Sequence, residues 1–102
     1  MRAEYDSEAD ALSIDIRDVE HWDGVIWVDD DFCNIATENG VPAAVELISP
    51  VERLDLLAKA APKAGVEADK LIAAAKCAIA AADRTVSLDF SEVHAPGSQT
   101  SA

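Results

Sequence analysis

Asp29, Asp30 and Asp31 form the only run of three acidic residues in the sequence, and Ca²⁺ and Mg²⁺ prefer carboxylate oxygens as ligands. An EF-hand loop that began at Asp29 would need a carboxylate or amide at its fifth position and glycine at its sixth. Cys33 and Asn34 stand at those positions instead. We therefore expect a solvated acidic turn, with a weak surface cation site as the alternative.

The histidines and cysteines lack the spacing that zinc binding or nucleophilic catalysis requires. His21 and His94 are far apart, and neither is joined to a cysteine in a zinc pattern. Cys33 and Cys77 lie in unlike segments, so two reduced and mostly buried thiols are expected rather than a disulfide. No local signature brings a nucleophile, a base and an orienting group together. No catalytic, metal-binding or cofactor-binding residue is predicted.

The two tryptophans are the side chains best suited to recognition, because tryptophan buries a large area and keeps a polar N–H group. Trp27 lies in an apolar run and is expected in the core, with a subunit contact as the alternative. Trp22 lies in an acidic loop and is the better candidate for a partner or dimer contact. The predicted partner-binding residues are Trp22, Trp27, Asp29, Asp30 and Asp31.

The net charge of −12 is concentrated in the first half of the chain. Residues 1–50 contain thirteen Asp or Glu and two Arg, whereas residues 51–102 contain seven acidic and six basic residues. Such a field repels nucleic-acid phosphates and anionic membranes, so direct binding to either is not expected. It attracts a basic partner protein. The alternative is that the acidity only keeps a small protein in solution.

The length of 102 residues corresponds to one domain, and half of the residues are apolar, which is enough for a core. No run approaches the roughly 20 apolar residues that cross a bilayer. No basic-then-apolar signal peptide is present at the N-terminus. We expect a cytoplasmic protein.

A β-hairpin is predicted over residues 5–16. Leu12, Ile14 and Ile16 alternate with polar residues, as a half-buried strand requires. The short polar side chains between the strands favour a turn, because they can hydrogen-bond their own backbone. A short helix over residues 7–11 is the alternative.

The same hairpin resembles the opening of domain-of-unknown-function family 2283, a family of small bacterial proteins with the pattern Y-D-x-x-A-D-x-L-Y-I. The matching residues are Tyr5, Asp6, Ala9, Asp10, Leu12 and Ile14, followed by Asn39-Gly40 and residues 44–48. Ser13 stands where the family has tyrosine, and Ala44 where it has glycine. The resemblance covers the first half of the chain. It implies a small β-meander followed by a helix, and no established reaction.

Residues 25–28, 32–37 and 41–48 are rich in β-forming residues and predict three further strands. The first is apolar throughout and is expected to be covered on both faces. Asn39-Gly40 predicts a tight hairpin between the other two, because both residues accept a positive φ.

Two helices should follow. Ser49 is predicted as the N-cap of the first, with Pro50 at its first position and Glu52 completing a capping box. That helix is expected to end near Ala60, and the second to span residues 67–82. The expected core stripes are Val51, Leu54, Leu57, Ala58 and Ala61 on the first helix and Leu71, Ile72, Ala75, Ile79 and Ala82 on the second.

Residues 85–90 alternate between polar and apolar, which predicts a last strand joined to the sheet edge of this chain or of a second copy. Residues 91–102 are predicted to be a disordered tail. The predicted fold class is α+β in a single domain, residues 1–90. It comprises a small antiparallel β-meander of about four strands (1–49), a helical hairpin (50–83) and a short C-terminal strand (84–90).

These patterns favour a small acidic, non-enzymatic protein-interaction module, antitoxin-like in that it would neutralise a basic partner protein. A homodimer is also expected, because the sheet would have one uncovered face and a detached last strand. Two alternatives stay open. One is a small enzyme or ligand-binding protein that uses carboxylates and Trp22 in a pocket, and the other is a structural homo-oligomer.

Overall fold

Within residues 1–89, six antiparallel strands form one sheet, and two helices pack against one of its faces. The computed structural model describes residues 1–89. The strands are β1 (Arg2–Asp6), β2 (Ala11–Asp15), β3 (Gly24–Asp29), β4 (Cys33–Glu38), β5 (Val41–Ile48) and β6 (Thr85–Ser87), and the helices are α1 (Asp55–Ala64) and α2 (Ala68–Ala80). The predicted α+β class is confirmed.

The strand order is β3-β4-β5-β2-β1-β6, which differs from the predicted four-stranded meander. The first 49 residues contribute five strands, and β5 returns to pair with β2 rather than staying at an edge. The last strand, β6, pairs with β1 of its own chain. Phe90, the predicted boundary at residue 90 and the predicted tail, residues 91–102, lie outside the described residues.

The first hairpin forms where the sequence predicts it. The Asp6 carboxylate accepts hydrogen bonds from the backbone N–H groups of Glu8 (3.0 Å) and Ala9 (3.2 Å), which closes the turn. Residues 7–10 form a turn and not a helix, and Leu12 and Ile14 of β2 are buried, so the predicted hairpin is confirmed over the alternative helix.

The second predicted hairpin joins β4 to β5. Asn39 and Gly40 have φ values of 54° and 78°, the left-handed conformation that a two-residue hairpin turn requires at both positions. Glu38 pairs directly with Val41 across this turn. The Asn-Gly prediction is confirmed.

The core lies between the helices and one face of the sheet. Alternate strand residues supply the sheet side, and small residues on the helices allow close approach of the two layers. The buried residues of this core include Ala3, Leu12, Ile14, Cys33, Ile35, Val45 and Leu47 from the sheet and Leu56, Leu57, Ala60, Ala61, Leu71, Ala74, Ala75 and Ala78 from the helices.

The predicted start of the first helix is wrong. Ser49 is not an N-cap: it has a φ of 53°, and its backbone N–H donates to the Asp10 carbonyl at 2.9 Å, which extends the pairing of β5 with β2. Pro50 and Glu52 belong to the turn that follows, and α1 begins at Asp55. A backbone hydrogen bond made far away in sequence has displaced a favourable local capping pattern.

The predicted end of α1 near Ala60 is also wrong, because the helix continues through Pro62 to Ala64. Pro62 lies on the exposed side, where water can satisfy the carbonyl that the missing N–H leaves free. Gly65, with a φ of 75°, ends the helix in the left-handed conformation.

The helix faces are confirmed in part. Leu57, Ala61, Leu71 and Ala75 are buried, and Leu54 and Ile72 are partly buried against the core. Val51 (62% exposed), Ala58 and Ala82 do not join the core, and Ile79 is half-buried. Val51 and Ala82 lie outside the helices, so the helical period does not apply to them. The buried stripe of α1 instead follows Leu56 and Ala60, which leaves Ala58 on the exposed side.

The two cysteines are free. Cys33 is buried as expected, but Cys77 is exposed on α2, so the prediction of two buried thiols is wrong for Cys77. No helix within residues 1–89 combines the length and apolar character needed to cross a membrane.

Candidate interaction surface

The face of the sheet opposite the helices carries exposed and half-buried side chains, and no helix of residues 1–89 packs on it. We call this surface the open face. Successive strand residues point to opposite sides, so the residues between the buried ones lie here. The open face includes Arg2, Glu4, Asp6, Ala11, Ser13, Asp15, Val25, Trp27, Asn34, Glu46, Ile48 and Thr85.

One row of side chains crosses the open face from edge to edge. Its register, in strand order, is Trp27, Asn34, Glu46, Ser13, Glu4 and Thr85. Because neighbouring strands are about 4.8 Å apart, Glu46 and Glu4 are about 10 Å apart along this row. The row therefore places an aromatic side chain at one edge and two carboxylates further along the same line.

A depression of about 380 Å³ lies beside this row and combines carboxylates with apolar atoms. Glu4, Asp6 and Glu46 contribute the carboxylates, and Ala11 and Ile48 contribute apolar surface. A lysine or arginine side chain is amphipathic in the same way, with an aliphatic stem and a cationic end. The depression is suited to such a side chain.

A second depression, of about 420 Å³, differs in its electrostatics. Arg2 and Arg17 line it together with Asp15 and Asp18. Arg2 forms ion pairs with Asp15 (3.5 Å) and Asp18 (2.5 Å), so charges of both signs already meet there. The surface around this depression is therefore neither uniformly acidic nor uniformly basic.

Trp27 is 57% exposed on the open face, so the expectation that it belongs to the core is wrong. It lies on β3, an outer strand of the sheet, where α1 covers one side only. Ile26 and Val28 point towards the helices and are partly buried, whereas Val25 is 50% exposed beside Trp27. The apolar run is therefore covered on one face and not on both.

Trp22 is 53% exposed, in the loop that precedes β3. The Glu38 carboxylate holds this loop by accepting hydrogen bonds from the backbone N–H groups of Glu20 (3.2 Å) and His21 (3.1 Å). The Asp23 carboxylate accepts a hydrogen bond from the Thr37 hydroxyl at 3.3 Å. Two carboxylates thus act within the chain to fix the segment that presents Trp22.

The three aspartates of the acidic run have different roles. The Asp29 carboxylate accepts hydrogen bonds from the backbone N–H groups of Asp31 and Phe32, both at 3.0 Å, and so forms the β3–β4 turn. Asp30 and Asp31 are exposed. Arg53 lies 3.4 Å above the centre of the Phe32 ring. Within residues 1–89, no group of three or more His, Cys, Asp or Glu side chains is arranged to hold a metal ion.

Cys33 is poorly suited to nucleophilic chemistry. Burial, together with the negative charge of Asp29, raises the pKa of its thiol to about 11. A thiol with this pKa is protonated at neutral pH, and the thiolate is the nucleophile.

The structure places Trp27 and Asp29 on one strand and Asp30 and Asp31 in the turn that follows it, while Trp22 lies before the strand. Sequence reasoning missed Glu4, Asp6 and Ile48 as surface-forming residues. The alternation in β1 and β5 indicates which residues share a face, but it cannot indicate that β1, β2 and β5 are neighbours.

Comparisons with known proteins do not change this description: no family model, curated protein or solved structure matches the chain. The resemblance of the first half to domain-of-unknown-function family 2283 stays a prediction.

Proposed function

We propose that the protein is a non-enzymatic, antitoxin-like interaction module whose open face binds a basic partner protein in the cytoplasm. The observation that carries the proposal is the open face itself, where an exposed tryptophan lies in one row with two carboxylates. Interfaces are enriched in tryptophan because it contributes a large contact area. The carboxylates select a cationic partner.

The charge of the sheet half supports a cationic partner. Residues 1–50 carry thirteen acidic side chains and two arginines, and both arginines are engaged within the chain. Arg2 pairs with Asp15 and Asp18, and Arg17 pairs with Glu38 at 3.6 Å. A complementary field raises the association rate with a basic protein and disfavours acidic ones.

The ligand-binding alternative receives less support from the geometry. The depression beside Glu4 and Glu46 does contain carboxylates, but Trp22 is not among its lining residues. Ligand pockets usually enclose most of the ligand within apolar walls. The depression is instead an open part of the sheet surface, which suits a side chain of a larger partner.

A homodimer is the competing use of the same surface. One reason for expecting it, a detached last strand, no longer applies, because β6 pairs with β1 of its own chain. The exposed pair Val25 and Trp27 remains, but a second copy brings a second charge of −12. Light scattering over a range of concentrations distinguishes this use of the surface from a free open face.

The proposal is tested by titrating the full-length protein with an oligolysine peptide and measuring affinity by calorimetry. The double variant Glu4→Gln/Glu46→Gln removes two open-face charges. The control Asp55→Asn/Asp69→Asn removes the same charge from exposed positions on the helices. In water, two opposite unit charges about 5 Å apart attract each other by about 0.8 kcal/mol. The Glu4→Gln/Glu46→Gln variant loses two such interactions, so it should bind oligolysine about tenfold more weakly.

The control should change affinity by less than about twofold, and the difference should shrink at high salt because the Debye length shortens. Equal weakening by both double variants would show that net charge alone is recognised. Absence of oligolysine binding to the unmodified protein would refute the proposal.

A further inference from the structure

In the part of the chain that the structure describes, β3 is an outer strand of the sheet with one hydrogen-bonding edge unpaired. It pairs with β4 on one side, and within residues 1–89 no strand pairs with its other side. Alternate N–H and C=O groups of an edge strand point away from the sheet and can pair with another chain. The opposite edge is the three-residue strand β6, which offers a much shorter template.

The sequence of β3 lacks the features that usually protect an edge. The segment Val25-Ile26-Trp27-Val28 contains no lysine, no proline and no inward-pointing charge. Its one irregularity is a register shift between Trp27 and Asp29, at the C-terminal end of the strand. An apolar and unprotected edge of this kind is a surface to which an extended peptide can add as a further strand.

The charges at the ends of β3 indicate which chain can occupy it. Asp23 precedes the strand, and Asp29 to Asp31 end it. A second copy paired in the antiparallel direction would place these acidic ends against each other, and like charges opposite one another destabilise a sheet. Residues 90–102 contain no lysine or arginine that could complement these ends. A strand from a basic partner would complement them.

We infer that the partner supplies an extended segment, rich in lysine or arginine, that adds to β3 as a seventh strand. Val25 and Trp27 contact its apolar side chains on the open face, and Asp30 and Asp31 attract its cations. This inference rests on the proposed function and specifies its geometry: the main chain of β3 contributes hydrogen bonds as well as charge.

The first test compares two peptides with the full-length protein. One is a peptide of alternating lysine and valine, and the other has the same sequence with every backbone nitrogen methylated. Both carry the same charge, but the methylated peptide cannot donate backbone hydrogen bonds. We expect it to bind at least about tenfold more weakly, because it loses several main-chain bonds. Only the unmethylated peptide should slow amide hydrogen exchange in residues 25–28.

The outcomes separate the inference from the function on which it rests. Equal affinity of the two peptides, with salt-sensitive binding and unchanged exchange in β3, would overturn strand addition and leave charge recognition in place. Failure of both peptides to bind would overturn strand addition and would also contradict the proposed function.

A second test uses a matched pair of protein variants. Val25 on β3 and Val41 on the interior strand β5 are 50% and 49% exposed, so lysine at either position adds the same charge at similar exposure. Lysine on an edge strand opposes the addition of a further strand. Val25→Lys should weaken binding of the unmethylated peptide at least about fivefold more than Val41→Lys. Equal weakening would assign the effect to charge alone and overturn the inference.

Discussion

Leu47 and Ile48 are neighbours on β5 whose side chains lie on opposite faces of the sheet, so they test whether only one face is covered. Leu47 is 0% exposed beneath the helices, whereas Ile48 is 41% exposed on the open face. Leu47→Ala leaves a cavity among fully buried neighbours and should cost about 2–5 kcal/mol of unfolding free energy. Ile48→Ala removes a partly hydrated side chain and leaves no closed cavity, so about 1 kcal/mol is expected.

The measurements are urea unfolding and thermal unfolding of both variants, each followed by far-UV circular dichroism. A domain of this size loses about 4–8 °C of melting temperature per kcal/mol, so Leu47→Ala should lower the midpoint by about 10 °C or more. Typical domains are stable by only about 5–15 kcal/mol. A Leu47→Ala variant without a folded baseline would therefore correspond to a loss near the upper end of the range of about 2–5 kcal/mol.

Equal losses for Leu47→Ala and Ile48→Ala would refute the reasoning, because they would show that the open face is also buried. A second copy packed against Ile48 would produce this result. Repeating the unfolding at about tenfold higher protein concentration identifies that case, since an associated state becomes more stable with concentration. Stability that is independent of concentration, with a small loss at Ile48, is the expected outcome.

Three further predictions concern other parts of the fold. A thiol reagent at pH 8 should modify the exposed Cys77 rapidly and Cys33 only after denaturation, because a pKa of about 11 leaves about one thiol in a thousand ionised; equal labelling rates would contradict this. Hydrogen bonds from Ser7 lower the pKa of the Asp83 carboxyl group in the folded protein. The carboxylate therefore stabilises the fold at pH values above 3.8, its ordinary pKa, and this contribution is lost as the pH falls through the lowered pKa. Unfolding curves of Asp83→Asn and the unmodified protein should therefore converge in acid, and a gap that stays constant with pH would argue against the linkage. A Cβ at residue 24 would lie 2.8 Å from the Thr37 hydroxyl, so Gly24→Ala should cost about 1–3 kcal/mol in urea unfolding, whereas an unchanged midpoint would show that Thr37 can move freely.

Short-range patterns in the sequence were sufficient to predict the turns and the presence of the two helices. The hairpin at Asn39-Gly40 and the turn at Asp6 depend on backbone preferences and hydrogen bonds within a few residues, so no distant contact is needed to predict them. The limits of α1 were less predictable. The backbone of Ser49 bonds to Asp10 in another strand, and that bond cannot be seen in the local sequence.

The sequence by itself determined that the molecule is an α+β protein whose negative charge lies in its strand-forming half, because composition and periodicity are properties of neighbouring residues. Only the tertiary structure decided which residues form the surface. Trp27 is exposed because β3 is an outer strand that α1 covers on one side, and Glu4 and Glu46 share a row because β2 lies between β1 and β5. Strand order depends on pairing between distant segments, and a local pattern of alternation is the same whether a strand lies at the edge or in the middle of a sheet.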